Sequence, residues 1–238
     1  MFKMLSTILD LLYPRTCVAC GMPCDRPDFH VCWQCLAKLT VVSPPFCKIC
    51  GDPVEGVVNI EYTCSFCNNR RPFFDSARSA VRYSGPLEIA IQAFKYGGMT
   101  HLTSDFALLL FACVNTYYAN IHFDIVTYVP LYPRKQRERT YNQSQLLAEA
   151  LARKLKLPSK PPLLVRIRDT KTQTNLTAEQ RSRNVHGAFD VRNRDWIEGK
   201  TILIVDDVMT TGATVNECAR VLKQARASKV YVVTVGRG

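Results

Sequence analysis

Two groups of residues in this 238-residue chain have types and spacings suited to chemistry. The first is a run of four C-x-x-C pairs, Cys17/Cys20, Cys32/Cys35, Cys47/Cys50 and Cys64/Cys67, separated by 11, 11 and 13 residues. Each pair sets two sulfurs on one tight turn whose amides point back at them, and a tetrahedral zinc ion takes four thiolates. Eight cysteines therefore predict two zinc ions. The short repeat favours sequential pairing, the first two pairs on one ion and the last two on the other; a cross-braced arrangement, pairs one and three against two and four, is the alternative. Gly21 and Gly51 follow the second cysteine of CVACGMP and CKICGDP, where a knuckle turn favours positive φ. Closed four-thiolate sites leave no open coordination position, so both ions are expected to be structural. Cys24 and His30 have no partner of matching spacing and read as a spare thiol and a surface imidazole.

The second group is TILIVDDVMTTGAT, residues 201–214. Four branched apolar residues predict a buried strand, and Asp206 and Asp207 follow at its carboxyl end, where ligands bind in open α/β sheets. Thr210, Thr211, Gly212, Ala213 and Thr214 then lead into a helix. Small residues let backbone N–H groups and hydroxyls wrap a phosphate, and the helix start adds partial positive charge. The Gly-Lys-Ser/Thr ending of an ATP-binding loop is missing. The plainer alternative is a helix cap behind a surface pair of acids.

This pattern resembles the signature of type I phosphoribosyltransferases. The resemblance implies that Asp206 and Asp207 hold the ribose 2- and 3-hydroxyls of phosphoribosyl pyrophosphate, that Thr210 to Thr214 bind its 5-phosphate, and that magnesium accompanies it. The C-x-x-C pairs ahead of FKYGG, VPLYPRKQRERTYNQ and VDDVMTTGAT resemble, over essentially the whole chain, the competence-associated ComF proteins. Asn142 and Gln143 match that pattern, whereas Thr140 stands where ComF proteins usually have glycine. If that glycine has positive φ, the loop here must differ or be strained. The likeness implies a cytoplasmic protein that acts in natural competence, with single-stranded DNA and a DNA-uptake helicase or another competence protein as partners.

The elements that must position these groups follow from composition and periodicity. Residues 1–72 hold 7 basic and 6 acidic side chains and nine of the 11 cysteines, whereas residues 73–238 hold 24 basic and 14 acidic ones. This predicts a small ribbon module over 1–72, with an N-terminal helix, and an α/β domain over 73–238. In the second part, strand-like DSARSAVRYSG, FDIVTYVPL, TILIVDD and KVYVVTV alternate with helical PLEIAIQAFKYGG, 102–118, SQLLAEALARKLKL and VNECARVLKQARA. A further strand is expected at Leu163–Ile167. The expected class is α/β, a mostly parallel sheet flanked by helices. RKQRERTYNQ is expected to be a loop, and TKTQTNLTAEQRSRNVHGAF a mobile hood over the site or an exposed loop with one helical turn. The opening MFKMLSTILDLLYP runs into the cysteines without a convincing cleavage site, and the longest apolar run, Phe106–Val114, is too short for a bilayer. A reducing, cytoplasmic location without membrane insertion is expected.

Charge separates three functional classes. Residues 134–194 carry 15 basic and 5 acidic side chains, an excess that suits a polyanion. For a transferase, Arg134 and Lys135 would neutralise pyrophosphate together with Arg137 and Arg139. For a non-catalytic DNA-binding platform, with phosphoribosyl pyrophosphate as a regulator or not engaged at all, Arg137, Arg139, Arg181 and Arg183 would follow a strand while Tyr141, with Tyr128 and Tyr132 nearby, stacks on bases. A nucleotide-salvage enzyme would need a base-specific loop, and none is recognisable.

Overall fold

The computed structural model describes residues 15–24, 26, 29–54, 56, 61–158, 162–170 and 177–238. The apolar opening segment, expected as a helix, and hood residues 171–176 lie outside them. Among the described residues, short helices α1 (Trp33–Ala37) and α2 (Ser65–Asn69) belong to the cysteine module. Then follow β1 (Ser76–Arg82), α3 (Pro86–Tyr96), α4 (Thr103–Tyr117), β2 (Ile125–Tyr128), α5 (Pro133–Arg139) and α6 (Gln143–Lys154). β3 (Leu164–Arg166), α7 (Ala178–Val185), β4 (Phe189–Val191), β5 (Thr201–Met209), α8 (Ala213–Gln224) and β6 (Lys229–Arg237) complete the order.

Four strands form one sheet in the order β1-β6-β5-β2, every pair parallel. Its centre is β5, whose continuous apolar run reflects burial on both faces. Ile202 and Ile204 face one core with Val230 and Val232; Leu203 and Val205 face the other with Val233 and Val235. The first core also takes Val215, Cys218 and Leu222 of α8, and the second takes Phe94 of α3, Phe106 of α4 and Leu147 of α6. The cysteine module enters both cores. Cys47, Cys50 and Cys67 pack in the first, and Cys17, Cys32 and Cys35 in the second.

Edge strand β1 is covered by the module's own backbone. Val41 bridges Val81 antiparallel, Arg82 N donates to Thr40 O at 2.7 Å, Val42 N to Ala80 O at 3.0 Å, and Ala77 N to Ile49 O at 2.7 Å. An edge with its amides so occupied is closed to foreign strands. Gly51 is required here for two reasons: its φ is 67°, and a Cβ there would lie 2.5 Å from Ala77 O.

Three expectations need correction. The segment read as a loop after Pro130 contains α5, because Pro133 starts it, straight-chain residues fill it, and Arg134 pairs with Glu138 one turn on. The Leu163–Ile167 strand is shorter and pairs antiparallel with β4 in a separate two-stranded sheet, away from the parallel one. His30 is no surface imidazole. Its ring is half-buried, 4.2 Å from the His101 ring centre and 3.5 Å from the buried Asp105 carboxylate, which also accepts the His30 amide at 2.8 Å.

Candidate functional site

The cysteines gather sequentially, which excludes cross-bracing. Cys17, Cys20, Cys32 and Cys35 form one group and Cys47, Cys50, Cys64 and Cys67 the other, with all sulfurs of a group within 4.8 Å of one another. Cys20 and Cys32 are 3.6 Å apart and Cys50 and Cys64 3.7 Å, far beyond a disulfide bond and suited to a tetrahedron of roughly 2.3 Å zinc–sulfur bonds. Burial raises the Cys17 and Cys47 thiols, but turn amides outweigh it and bring both down to about 7. Burial and the neighbouring thiolates push Cys50 up to about 12. Four thiolates this close need a cation to coexist, so the two groups fit two structural zinc ions. Cys24 and His30 stand outside both groups.

At the end of β5, Asp206 and Asp207 are buried, which removes the surface-acid alternative. Ser144, on the first turn of α6, donates its hydroxyl to Asp206 Oδ1 at 2.7 Å. Asn142 caps that helix through the Ser144 amide at 3.0 Å while its Nδ2 donates to Val129 O at 3.1 Å, tying α6 to the end of β2. The Asn-Gln-Ser run thus positions the acid. Asp207 meets Lys95, the lysine of FKYGG, whose Nζ lies 3.1 Å from Oδ2. Beyond this ion pair, no hydrogen-bond donor meets that oxygen among the described residues. Burial, then the Asp207 charge, raise the Asp206 carboxyl to about 7 against the pull of Ser144 and Lys95. Burial lowers Lys95, but both aspartates outweigh it and its ammonium is held above the ordinary range. Asp206 thus lies between burial and a neighbouring carboxylate, which oppose its charge, and Ser144 and Lys95, which favour it.

Next to the acids lies a cup of about 40 Å³ lined by Asp206 and by Val208 to Val215, residues 210–214 among them. Gly212 takes φ 75° at the start of α8, a turn that β-branched residues resist. The helix start presents first-turn amides and the positive end of its dipole to the cup. Arg181 reaches it from α7, donating Nη1 to Thr210 Oγ1 at 2.7 Å, while Arg183 turns outward to Glu179. The carboxylate of Asp206, on the wall of this cup, and the buried Asp207 next to it in the chain fit a cation or a pair of hydroxyl donors.

The remaining basic residues divide. Lys135 and Arg139 line a cleft of about 430 Å³ with Lys95, Tyr96, Glu138 and Tyr141. Arg134 points instead to Asp169 at 2.8 Å, and Arg137 is exposed. Lys135 donates to Thr170 O at 3.0 Å, and Arg139 to Gln143 Oε1 at 2.6 Å, with its guanidinium 4.8 Å from the ring centre of the exposed Tyr96. Tyr141 is anchored: its hydroxyl donates to Phe94 O and its ring lies 6.2 Å from that of Phe94. Thr140 keeps the φ expected of glycine, 70°. Sequence reasoning gave no role to Lys95, Ser144 or Tyr96. The FKYGG and TYNQS motifs were the available signal for the first two; the exposure of Tyr96 had none.

The double zinc ribbon domain family matches residues 8–71, and the phosphoribosyl transferase domain family matches residues 142–237. The chain is 31% identical over 226 residues to the DNA utilization protein YhgH of Escherichia coli K12, covering 93% of this chain and 96% of that protein. It is 29% identical over 231 residues to competence protein F of Haemophilus influenzae, with the same coverage. It is 30% identical over 219 residues to competence protein ComFC of Bacillus subtilis, covering 89% and 86%.

Proposed function

The chain belongs to the ComF family of competence proteins, and on that premise we propose that it binds phosphoribosyl pyrophosphate with magnesium at the end of β5 and acts on or beside single-stranded DNA during DNA uptake. The observation that carries the ligand reading is the buried Asp206–Asp207 pair, with Asp206 on the wall of the cup formed by residues 210–214. Asp206 and Asp207 accept the ribose 2- and 3-hydroxyls. Thr210, Thr211, Gly212, Ala213 and Thr214 surround the 5-phosphate with amides and hydroxyls. Asp206 and Asp207 would help to hold magnesium together with this ligand, and the ion would supply neutralisation of its charge. Lys95 is well placed to change partner, because the cation that pairs with Asp207 also lines the basic cleft with Lys135 and Arg139. In that cleft the three cations stabilise departing pyrophosphate, so that catalysis is mainly electrostatic. Arg134, turned to Asp169, contributes less. Helix α7 brings Arg181 to the cup, where it would meet the phosphate. Residues 1–72 act as the ribbon module and 73–238 as the transferase domain, in the cytoplasm; among the described residues no helix is long and apolar enough to cross a membrane.

Titration calorimetry of the full chain tests the ligand reading. Phosphoribosyl pyrophosphate should bind only with magnesium, and Asp207→Ala should abolish that binding while the chain stays folded; unchanged affinity in the variant would refute it. Release of pyrophosphate with an acceptor would establish turnover.

A second reading, a DNA-binding platform without turnover, is favoured by the basic cleft with Tyr96 and Arg139 at its rim. A strand neutralised by Lys135, Arg137 and Arg139 would show a log-log salt slope of roughly −0.7 per phosphate, so replacing two of them should flatten the slope by somewhat over one unit. A DNA-uptake helicase or another competence protein would be the partner on this reading. A salvage role has no supporting feature.

A further inference from the structure

The second ribbon reaches the phosphate loop through one charged relay. Asp52 closes the CKICGD knuckle: its carbonyl accepts the Cys47 amide at 2.8 Å. Its carboxylate accepts Arg237 Nη2 at 2.7 Å. Arg237, the last residue of β6, is 6% exposed, and its Nη1 donates to Met209 O at 2.9 Å, Gly238 O at 2.9 Å and Thr210 O. A buried guanidinium needs a counter-charge, and among the described residues Asp52 is the carboxylate paired with it. Between the same two elements lies a cleft of about 550 Å³, with Cys50 and Cys64 on one wall and Thr210, Thr211, Gly212 and Ala213 on the other.

The peptide unit is planar, so holding the Thr210 carbonyl on Arg237 fixes the direction of the Thr211 N–H on the opposite side of that unit. The knuckle that aims Asp52 is in turn shaped by its metal, since such turns fold around the ion they bind. We propose that Asp52 is a positioning residue for the phosphate site, and that the zinc ion of the Cys47–Cys67 group and the ligand of the Thr210–Thr214 loop are thermodynamically coupled through Arg237. The Cys17–Cys35 group packs in the other core and contributes no wall to this cleft, so its ion is uncoupled. The inference rests on the phosphoribosyl reading above, and linkage requires it to act in both directions.

The test uses the zinc-loaded full chain and phosphoribosyl pyrophosphate with magnesium. By calorimetry, Asp52→Ala should bind about tenfold more weakly than wild type, within the 5- to 150-fold range usual for coupled sites, while retaining two zinc ions. Glu61→Ala, which removes an exposed acid paired with Lys48 on the same ribbon, should bind as wild type, and Asp52→Glu should recover part of the loss. Conversely, saturating ligand should slow chelator-induced release of one of the two zinc ions about tenfold and leave the other unchanged. In Asp52→Ala that protection should disappear. Wild-type affinity in Asp52→Ala, or protection of both ions or of neither, would overturn the proposal. A wild-type chain that binds no phosphoribosyl pyrophosphate would fail the functional reading first; inorganic phosphate, titrated on the same proteins, would then test whether Asp52 still governs the loop.

Discussion

Asp206 and Thr140 show at the residue scale how a side chain can be held in a state it would not choose in water. Folded, the Asp206 carboxyl releases its proton at about 7; unfolded, it does so near 4. Between these values the folded chain holds the extra proton, so this residue makes stability fall as pH rises from about 4 to about 7, and the loss is complete above 7. Asp206→Asn, still able to accept from Ser144, should therefore gain stability over wild type between pH 6 and pH 8 in denaturant titrations. Ligand binding has the opposite trend in wild type. Magnesium-dependent affinity should rise through pH 7, by at most about tenfold per unit below it, and the variant should lose that dependence. At Thr140 the left-handed backbone costs a β-branched residue about 1–2 kcal/mol. Thr140→Gly should raise stability by roughly 1 kcal/mol after the glycine entropy cost, measured by urea unfolding. A lower stability would mean that the hydrogen bond from the Thr140 hydroxyl to Arg139 O, 2.6 Å, outweighs the strain.

At the scale of elements, single close contacts help to fix how a helix or turn sits against the sheet. Lys95 on α3 and Asp207 on β5 form a pair whose side chains are 19% and 4% exposed. Removing one member leaves the other charge buried, so Lys95→Met should destabilise by about 3 kcal/mol, and adding Asp207→Asn should cost less than the two single losses together. Additive losses in that double-mutant cycle would show that the pair is not coupled. Gly51 joins the second knuckle to β1. Because both its φ and the Ala77 carbonyl exclude a Cβ, Gly51→Ala should destabilise by about 1–3 kcal/mol and expose β1 amides to hydrogen exchange before those of β5.

At the scale of the whole molecule, the ribbons are part of the cores. Each four-cysteine group supplies buried residues to one face of the same parallel sheet. Elemental analysis should find two zinc ions per chain. Stripping them should lower the melting temperature of the entire chain in one transition, not release residues 1–72 alone. Two separated calorimetric transitions, with the second at the temperature of the zinc-loaded protein, would show that the packing between module and sheet contributes little.

By itself the sequence determined what is local: the cysteine spacing, the central strand with its two acids, the Thr/Gly turn after it and the alternation of strands with helices. Each is set within a few residues, where periodicity of 2 or 3.6 and the geometry of short turns act directly. It could not locate Lys95 or Ser144 beside the acids, because those contacts join residues far apart in the chain and depend on which helix covers which face. Nor could composition tell that basic residues of one segment divide between a cleft, a carboxylate and solvent, since α5 sends neighbouring side chains in different directions. The tertiary structure decided these, together with the pairing of the cysteines and the relay from Asp52 to Thr210. In each case the physical reason is the same: burial and charge pairing act between surfaces, and the surfaces exist only once the sheet has been covered.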